Sequence, residues 1–124
     1  MDLGLTEREI DGVPVVVVAG EVDLTTAPRL REALVRHVTA ARPSVVADLG
    51  AVQFLDSTGL GVLVAVLKRC RTFGGGLHLV VTQPRVRQVF EVTGLTTVLP
   101  LHADAGAAAV AAATNWPEAG NGVG

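Results

Sequence analysis

The stretch Asp56-Ser57-Thr58-Gly59-Leu60-Gly61 concentrates the groups in this chain that could do chemistry. A carboxylate stands beside two hydroxyls, and two glycines follow. Three readings compete for it. In the first, Ser57 is a nucleophile on a strand-to-helix turn. That elbow needs Gly-x-Ser-x-Gly, and Leu55 occupies the first glycine position. His37, His78 and His102 are the only candidate bases, and none stands in a recognisable context. In the second, the helix N-terminus holds a nucleotide phosphate. The chain has no Gly-x-x-x-x-Gly-Lys and no Gly-x-Gly-x-x-Gly, Asp56 would repel a phosphate, and Gly74-Gly75-Gly76 ends a helix instead of opening one. In the third, a kinase phosphorylates the hydroxyl and so switches a protein surface. Against all three stands a plain helix cap by Asp56 or Ser57. Each glycine in a first turn costs ~1 kcal/mol relative to alanine, so Gly59 and Gly61 point to something beyond helix stability.

The elements that must position this stretch follow from hydrophobic spacing. Apolar runs either side of Asp11-Gly12 predict a hairpin, because Asp-Gly tolerates the positive φ of a two-residue turn. Val13 to Val18 reads as a strand buried on both faces, and Gly20-Glu21-Val22-Asp23 as a polar loop. Thr25 or Thr26 is expected to cap a helix with Pro28 in its first turn. Leu30, Ala33, Leu34 and Val38 are the stripe of that helix, and His37 lies at its edge. Ser44 to Leu49 predicts a second Val-rich strand, with a turn at Gly50.

The next helix carries the stripe Leu60, Leu63, Val64 and Leu67 and ends in Lys68, Arg69 and Arg71, cations that suit the negative end of a helix dipole. Val62 and Val66 then point away from the stripe beside Arg69, as a hydrophobic partner face. Cys70 is expected half-buried. Leu77 to Val81 is a third strong strand, Thr82 caps a helix with Pro84 in its first turn, and Val86, Val89 and Phe90 line it up to the stop at Gly94. Val98 and Leu99 could form a short last strand before Pro100, and residues 103–113 an alanine helix with little to pack. The order β-β-α-β-α-β-α-(β)-α implies a mixed sheet with crossover helices.

Composition bounds the rest. A chain of 124 residues is one domain. With 49% hydrophobic and 18% charged residues it is no disordered chain, and aromatics at 3% leave the core to valine, leucine and alanine. A formal charge of −2 and so few stacking residues argue against direct nucleic-acid binding. The mean hydropathy is +0.47, yet no apolar run approaches the ~20 residues of a membrane span, and the N-terminus is not expected to be a signal peptide. One cysteine excludes an internal disulfide framework and fits a reducing cytosol, and the scattered histidines suggest no metal site.

Three motifs together carry a family resemblance. Asp56-Ser57-Thr58-Gly59-Leu60-Gly61-Val62-Leu63 is similar to the signature of the STAS family, specifically the bacterial anti-sigma factor antagonists. Gly20-Glu21-Val22-Asp23 resembles its Gly-Glu-hydrophobic-Asp element, and Thr93-Gly94-Leu95 its (Ser/Thr)-Gly-Leu element. They stand in the family's order, and the resemblance covers roughly residues 1 to 110.

The resemblance implies an α/β STAS fold: a mixed four- to five-stranded sheet with about four helices largely on one side, over 1–113. From composition, 114–124 is expected to be a flexible tail, and residues 115–124, with Pro117 and three glycines among few apolar residues, to be dispensable for stability. It implies a cytoplasmic, non-enzymatic switch with no cofactor of its own and no membrane partner. The partner it implies is an anti-sigma factor that is also a serine kinase of the histidine-kinase-like ATPase fold. The antagonist displaces the sigma factor, the kinase phosphorylates Ser57 and ends the interaction, and a PPM-type serine/threonine phosphatase resets it. Thr58 replaces the second serine of some members. The partner-binding residues expected on this basis, together with the valine face above, are Glu21, Asp23, Asp56, Ser57, Thr58, Gly59, Gly61, Val62, Val66 and Arg69. Two alternatives stay open: a nucleotide-binding or hydrolytic protein using the Asp56–Gly61 loop, and a STAS scaffold of a larger signalling assembly.

Overall fold

Asp11 and Gly12 turn the chain with φ of 50° and 85°, the left-handed pair that matches the twist of two hairpin strands. β1 (Leu3–Ile10) therefore pairs antiparallel with β2 (Val13–Val22), with Ile10 opposite Val13. The computed structural model describes residues 2–114. β3 (Val45–Leu55), β4 (Leu77–Val80) and β5 (Leu101–His102) follow in parallel, so one sheet runs β1-β2-β3-β4-β5 with only β1 reversed. The crossovers are α1 (Ala27–Val35), α2 (Ser57–Thr72) and α3 (Pro84–Val92), and α4 (Ala105–Ala113) closes the order.

The alternation of β2 and β3 divides their side chains between two cores. Val16, Val18, Val45, Ala47 and Leu49 face α1, α2 and α3, whose Leu30, Leu34, Leu63, Val66 and Phe90 fill the larger core. Val13, Val15, Val46 and Val80 face the other way, against Ala105, Ala108, Ala109 and Ala112 of α4. The alanine helix thus has a full face to pack: it is the lid that lets a Val-rich strand be buried on both sides. Three helices lie on one face of the sheet and α4 on the other.

Several elements depart from the sequence expectation, each through tertiary pairing. Gly20, Glu21 and Val22 are strand, not loop. Gly20 is paired on both edges, with Leu3 of β1 and Val52 of β3, and β3 carries Glu21 and Val22 on as strand opposite Phe54 and Leu55; this backbone bonding overrides local polarity. Gly20 has a φ of 100°, and a Cβ there would lie 2.2 Å from the Asp2 carbonyl oxygen. β3 runs straight through Gly50, absorbing it in the first of two register shifts against β2. The last strand lies beyond Pro100, where the Pro100 and His102 carbonyls accept from Leu79 and Val81 N–H, while Leu95–Thr97 form a 3-10 turn. Gln83, not Thr82, precedes α3. Cys70 is fully buried, which pushes its thiol up to about 11. The expected tail lies outside the described residues, except for Thr114, whose hydroxyl donates to the Ala111 carbonyl at the end of α4.

The histidines are less scattered than their sequence positions suggest. Pairing of β4 with β5 sets Val80 opposite His102 and brings His78 Nδ1 to 3.1 Å from His102 Nε2 on the α4 side. Burial lowers the pKa of His102, and Asp104 opposes this less strongly. A folded state that holds the proton less tightly than the unfolded chain is most stable above the ordinary histidine pKa. Stability therefore falls as pH drops through ~6.5 toward the lower folded value. Thermal melts should show a lower midpoint at pH 5.5 than at 7.5 (about these values) and a flatter dependence for His102→Gln; an unchanged slope in the variant would contradict this.

Candidate functional site

The C-terminal ends of β2 and β3 lie side by side, with Val22 opposite Leu55. At this edge α/β sheets present their loops. Asp56 N–H donates to the Val22 carbonyl at 3.2 Å, which ties the start of α2 to the β2–α1 loop. Asp56 is extended, with φ −99° and ψ −175°, and its Oδ1 accepts from Gly59 N–H at 3.1 Å. It is the helix N-cap, and this carboxylate already occupies a position that a bound phosphate would need. Ser57, the first helical residue, is exposed, and among the described residues its hydroxyl has no hydrogen-bond partner. Thr58 is half-buried.

The neighbouring loop is built by Asp23. Its Oδ1 accepts from Thr25 N–H at 2.9 Å and Thr26 N–H at 3.0 Å, and the Thr26 N–H, more than the Thr25 N–H, holds the carboxyl below its ordinary pKa. Thr26 Oγ1 in turn accepts from Asp23 N–H and donates to the Glu21 carbonyl, both at 2.9 Å. Thr26 stands at the N-cap of α1 as expected but makes no side-chain bond to the helix's first N–H groups, and Asp23 orders the turn that leads into it. Glu21 sits half-buried at the end of β2. Leu24, 75% exposed, and Phe54, 47% exposed, flank the two loops as uncovered apolar side chains.

The two glycines of α2 have different reasons. A Cβ on Gly59 would lie 2.5 Å from Leu55 Cδ1 and 2.7 Å from Val22 Cγ1, so only glycine lets α2 seat on the two strand ends. Gly61 is exposed, with nothing within 4 Å of such a Cβ. Gly59→Ala should destabilise the protein by ~1–3 kcal/mol through overpacking. Gly61→Ala should leave stability unchanged or raise it by up to ~1 kcal/mol. Urea denaturation measures both, and the opposite order would contradict this packing.

A sequence profile of the STAS domain matches residues 5–108. The chain belongs to the STAS domain family. It is 36% identical over 103 residues to the anti-sigma-B factor antagonist of Listeria monocytogenes, covering 82% of this chain and 88% of that one. To the anti-sigma-B factor antagonist of Bacillus subtilis it is 35% identical over 103 residues, with coverage of 83% and 90%. The crystal structure of an anti-sigma factor antagonist from Mycobacterium paratuberculosis superposes with a TM-score of 0.81 at 35% identity, over 90% of this chain and 95% of that one. The five-stranded mixed sheet with four helices is the STAS fold.

Within that fold the expected site residues separate. Glu21, Asp23, Asp56, Ser57 and Thr58 come together at the joined loops. Gly59 is also there, but buried, and so is a packing residue. The expected valine face on α2 is corrected. Val66 is fully buried in the larger core with Leu63, Leu67 and Cys70. The buried stripe runs Gly59-Leu63-Val66-Leu67-Cys70, one residue round from the predicted one, because the close seat of Gly59 fixes the rotation of the helix. Leu60 and Val64 are only half-buried, and Val62 packs partly against the same core. Arg69 is exposed toward the far end of α2, 6.0 Å over the Phe73 ring and away from Ser57.

The face that continues from Ser57 is therefore Gly61, Val64 with Ala65, and Lys68, at successive turns. Leu24 and Phe54 were missed as site residues; the available signal was an apolar residue in the polar loop after Asp23 and a second beside polar Gln53 at the end of β3. None of the histidines is placed as a base for Ser57. His37 Nε2 lies 3.1 Å from Glu7 of β1, and His78 and His102 lie on the α4 face. Among the described residues no helix is long and apolar enough to cross a membrane, and no group of three or more His, Cys, Asp or Glu is arranged to hold a metal.

Proposed function

We propose that this STAS protein is an anti-sigma factor antagonist: it binds an anti-sigma factor, frees the sigma factor, and is switched off by phosphorylation of Ser57. The observation that carries the reading is the Ser57 hydroxyl, exposed and unbonded at the first position of α2 beside a capping aspartate. A structural serine here would use its oxygen to cap the helix, but Asp56 has taken that role and leaves Ser57 free to react. The Listeria and Bacillus relatives, named anti-sigma-B factor antagonists, support the same reading.

The partner is an anti-sigma factor with serine-kinase activity, and a PPM-type phosphatase restores the hydroxyl. The ATP belongs to the kinase. The binding face is Ser57, Thr58, Gly61, Val64 and Lys68 on α2, with Leu24 and Asp23 from the adjoining loop; this replaces Val66 in the contact. Nucleotide binding and hydrolysis have less support, since Asp56 occupies the helix N-terminus and no histidine attends Ser57.

The test is displacement. A purified complex of the cell's sigma factor with its anti-sigma kinase is titrated with this chain, and free sigma factor is separated by size. Release that saturates near one chain per anti-sigma protomer is expected. A complex that stays intact at large excess would overturn the assignment.

A further inference from the structure

A groove runs between the end of β3 and α3, on the side of the site away from the β2–α1 loop. Its deep part, about 150 Å³, is walled by Phe54, Val86, Val89 and Arg85. It continues along α3 through a second hollow of about 360 Å³ from Arg85 and Val89 to Val92. Phe54 is 47% and Val92 77% exposed, so the two ends of the groove are marked by uncovered apolar side chains. Its charge is one-sided. Arg85 makes no ion pair among the described residues, whereas Arg87 on the same helix is met by Glu91 at 3.3 Å. Among the described residues no carboxylate lines either hollow.

We propose that this groove is a second docking surface for the anti-sigma factor, taking an aliphatic side chain of the partner between Phe54 and Val89 and an adjacent carboxylate on Arg85. The proposal rests on the reading of the chain as an anti-sigma factor binder and names where that binder must also touch. Two observations select the occupant. An unpaired guanidinium beside apolar walls favours an acidic segment with an aliphatic anchor and disfavours a basic one. The groove is also continuous with the Ser57 face, since Phe54 lies three residues before Ser57 on the strand that leads into α2, about 10 Å of extended chain. A stable interface covers roughly 800 Å² per partner, area enough for a partner seated on the Ser57 face to extend over the adjoining groove.

The test is calorimetric titration of the full chain with the purified anti-sigma kinase used in the displacement assay. The variants are Arg85→Glu and Val92→Asp, both at exposed positions, with melting curves to confirm the fold. Each should bind at least about tenfold more weakly than the parent, with Arg85→Glu losing part of the salt dependence. Parent-like affinity in both variants, alongside weak binding by Ser57→Asp, overturns the groove and leaves the functional reading standing. No binding by the parent chain overturns both.

Discussion

Val66→Asp abolishes folding or lowers the melting midpoint by more than about 10 °C. Val66 has no exposed surface and lies in the core shared by α2 and the sheet. Removing a buried valine forfeits ~1.5–3 kcal/mol of burial. A carboxylate in its place adds the cost of an unpaired buried polar group, of order ~1–3 kcal/mol even when it takes up a proton. Domains hold only ~5–15 kcal/mol in all, so the sum is a large share of the total. Val62→Asp, at a half-buried site on the same helix, should fold with a much smaller loss. Circular dichroism at rising temperature separates the two. Equal, small effects would show that α2 is rotated from the position described.

The same residue shows what could be read in the sequence and what could not. The hairpin at Asp11-Gly12, the order of the elements, and the junction that displays Ser57 were all legible, because turn chemistry and β-branched runs are local signals. The rotation of α2 was not. Leu60, Leu63, Val64 and Leu67 form a stripe at helical spacing, yet Val62 to Val66 is so uniformly apolar that neighbouring stripes score alike. The deciding contact, Gly59 against Val22 and Leu55, joins residues 37 and 4 positions apart in a way no periodicity encodes. The β2 extension through Glu21 was missed for a related reason, since a polar residue becomes strand when a neighbouring strand pairs with it, here Phe54 of β3. The role of α4 was hidden because alanine fits either face. The His78–His102 contact, between residues 24 apart, depends on β4–β5 pairing. At the site, the three motifs located the loops, and the loops themselves decided which residue caps and which stays free.

Phosphorylation of Ser57 should weaken binding to the anti-sigma factor by roughly thirty-fold to several-thousand-fold, with the fold intact. A phosphate adds about −1.5 to −2 charges beside Asp56 at the N-terminus of α2. In the free protein Ser57 is exposed, so water solvates the dianion, and the helix dipole favours it by ~0.3–1 kcal/mol. In the complex the same charge is desolvated without a dedicated cation: Asp56 precedes it, Glu21 and Asp23 stand on the adjoining β2 end and loop, and Lys68 stands three turns along the helix. A mismatched buried charge costs ~2–5 kcal/mol, which gives the stated range. Ser57→Ala should bind constitutively and accept no phosphate. Ser57→Asp should fold normally and bind weakly, short of the full effect because one carboxylate carries less charge than a phosphate.

The most direct measurement incubates the chain with the anti-sigma kinase and ATP, maps the modified residue by mass spectrometry, and titrates the purified modified form against the same kinase. The account predicts one phosphate, on Ser57, and binding weakened at least about thirty-fold at an unchanged melting temperature. Phosphate on Thr58, or full affinity in the form phosphorylated at Ser57, would contradict it.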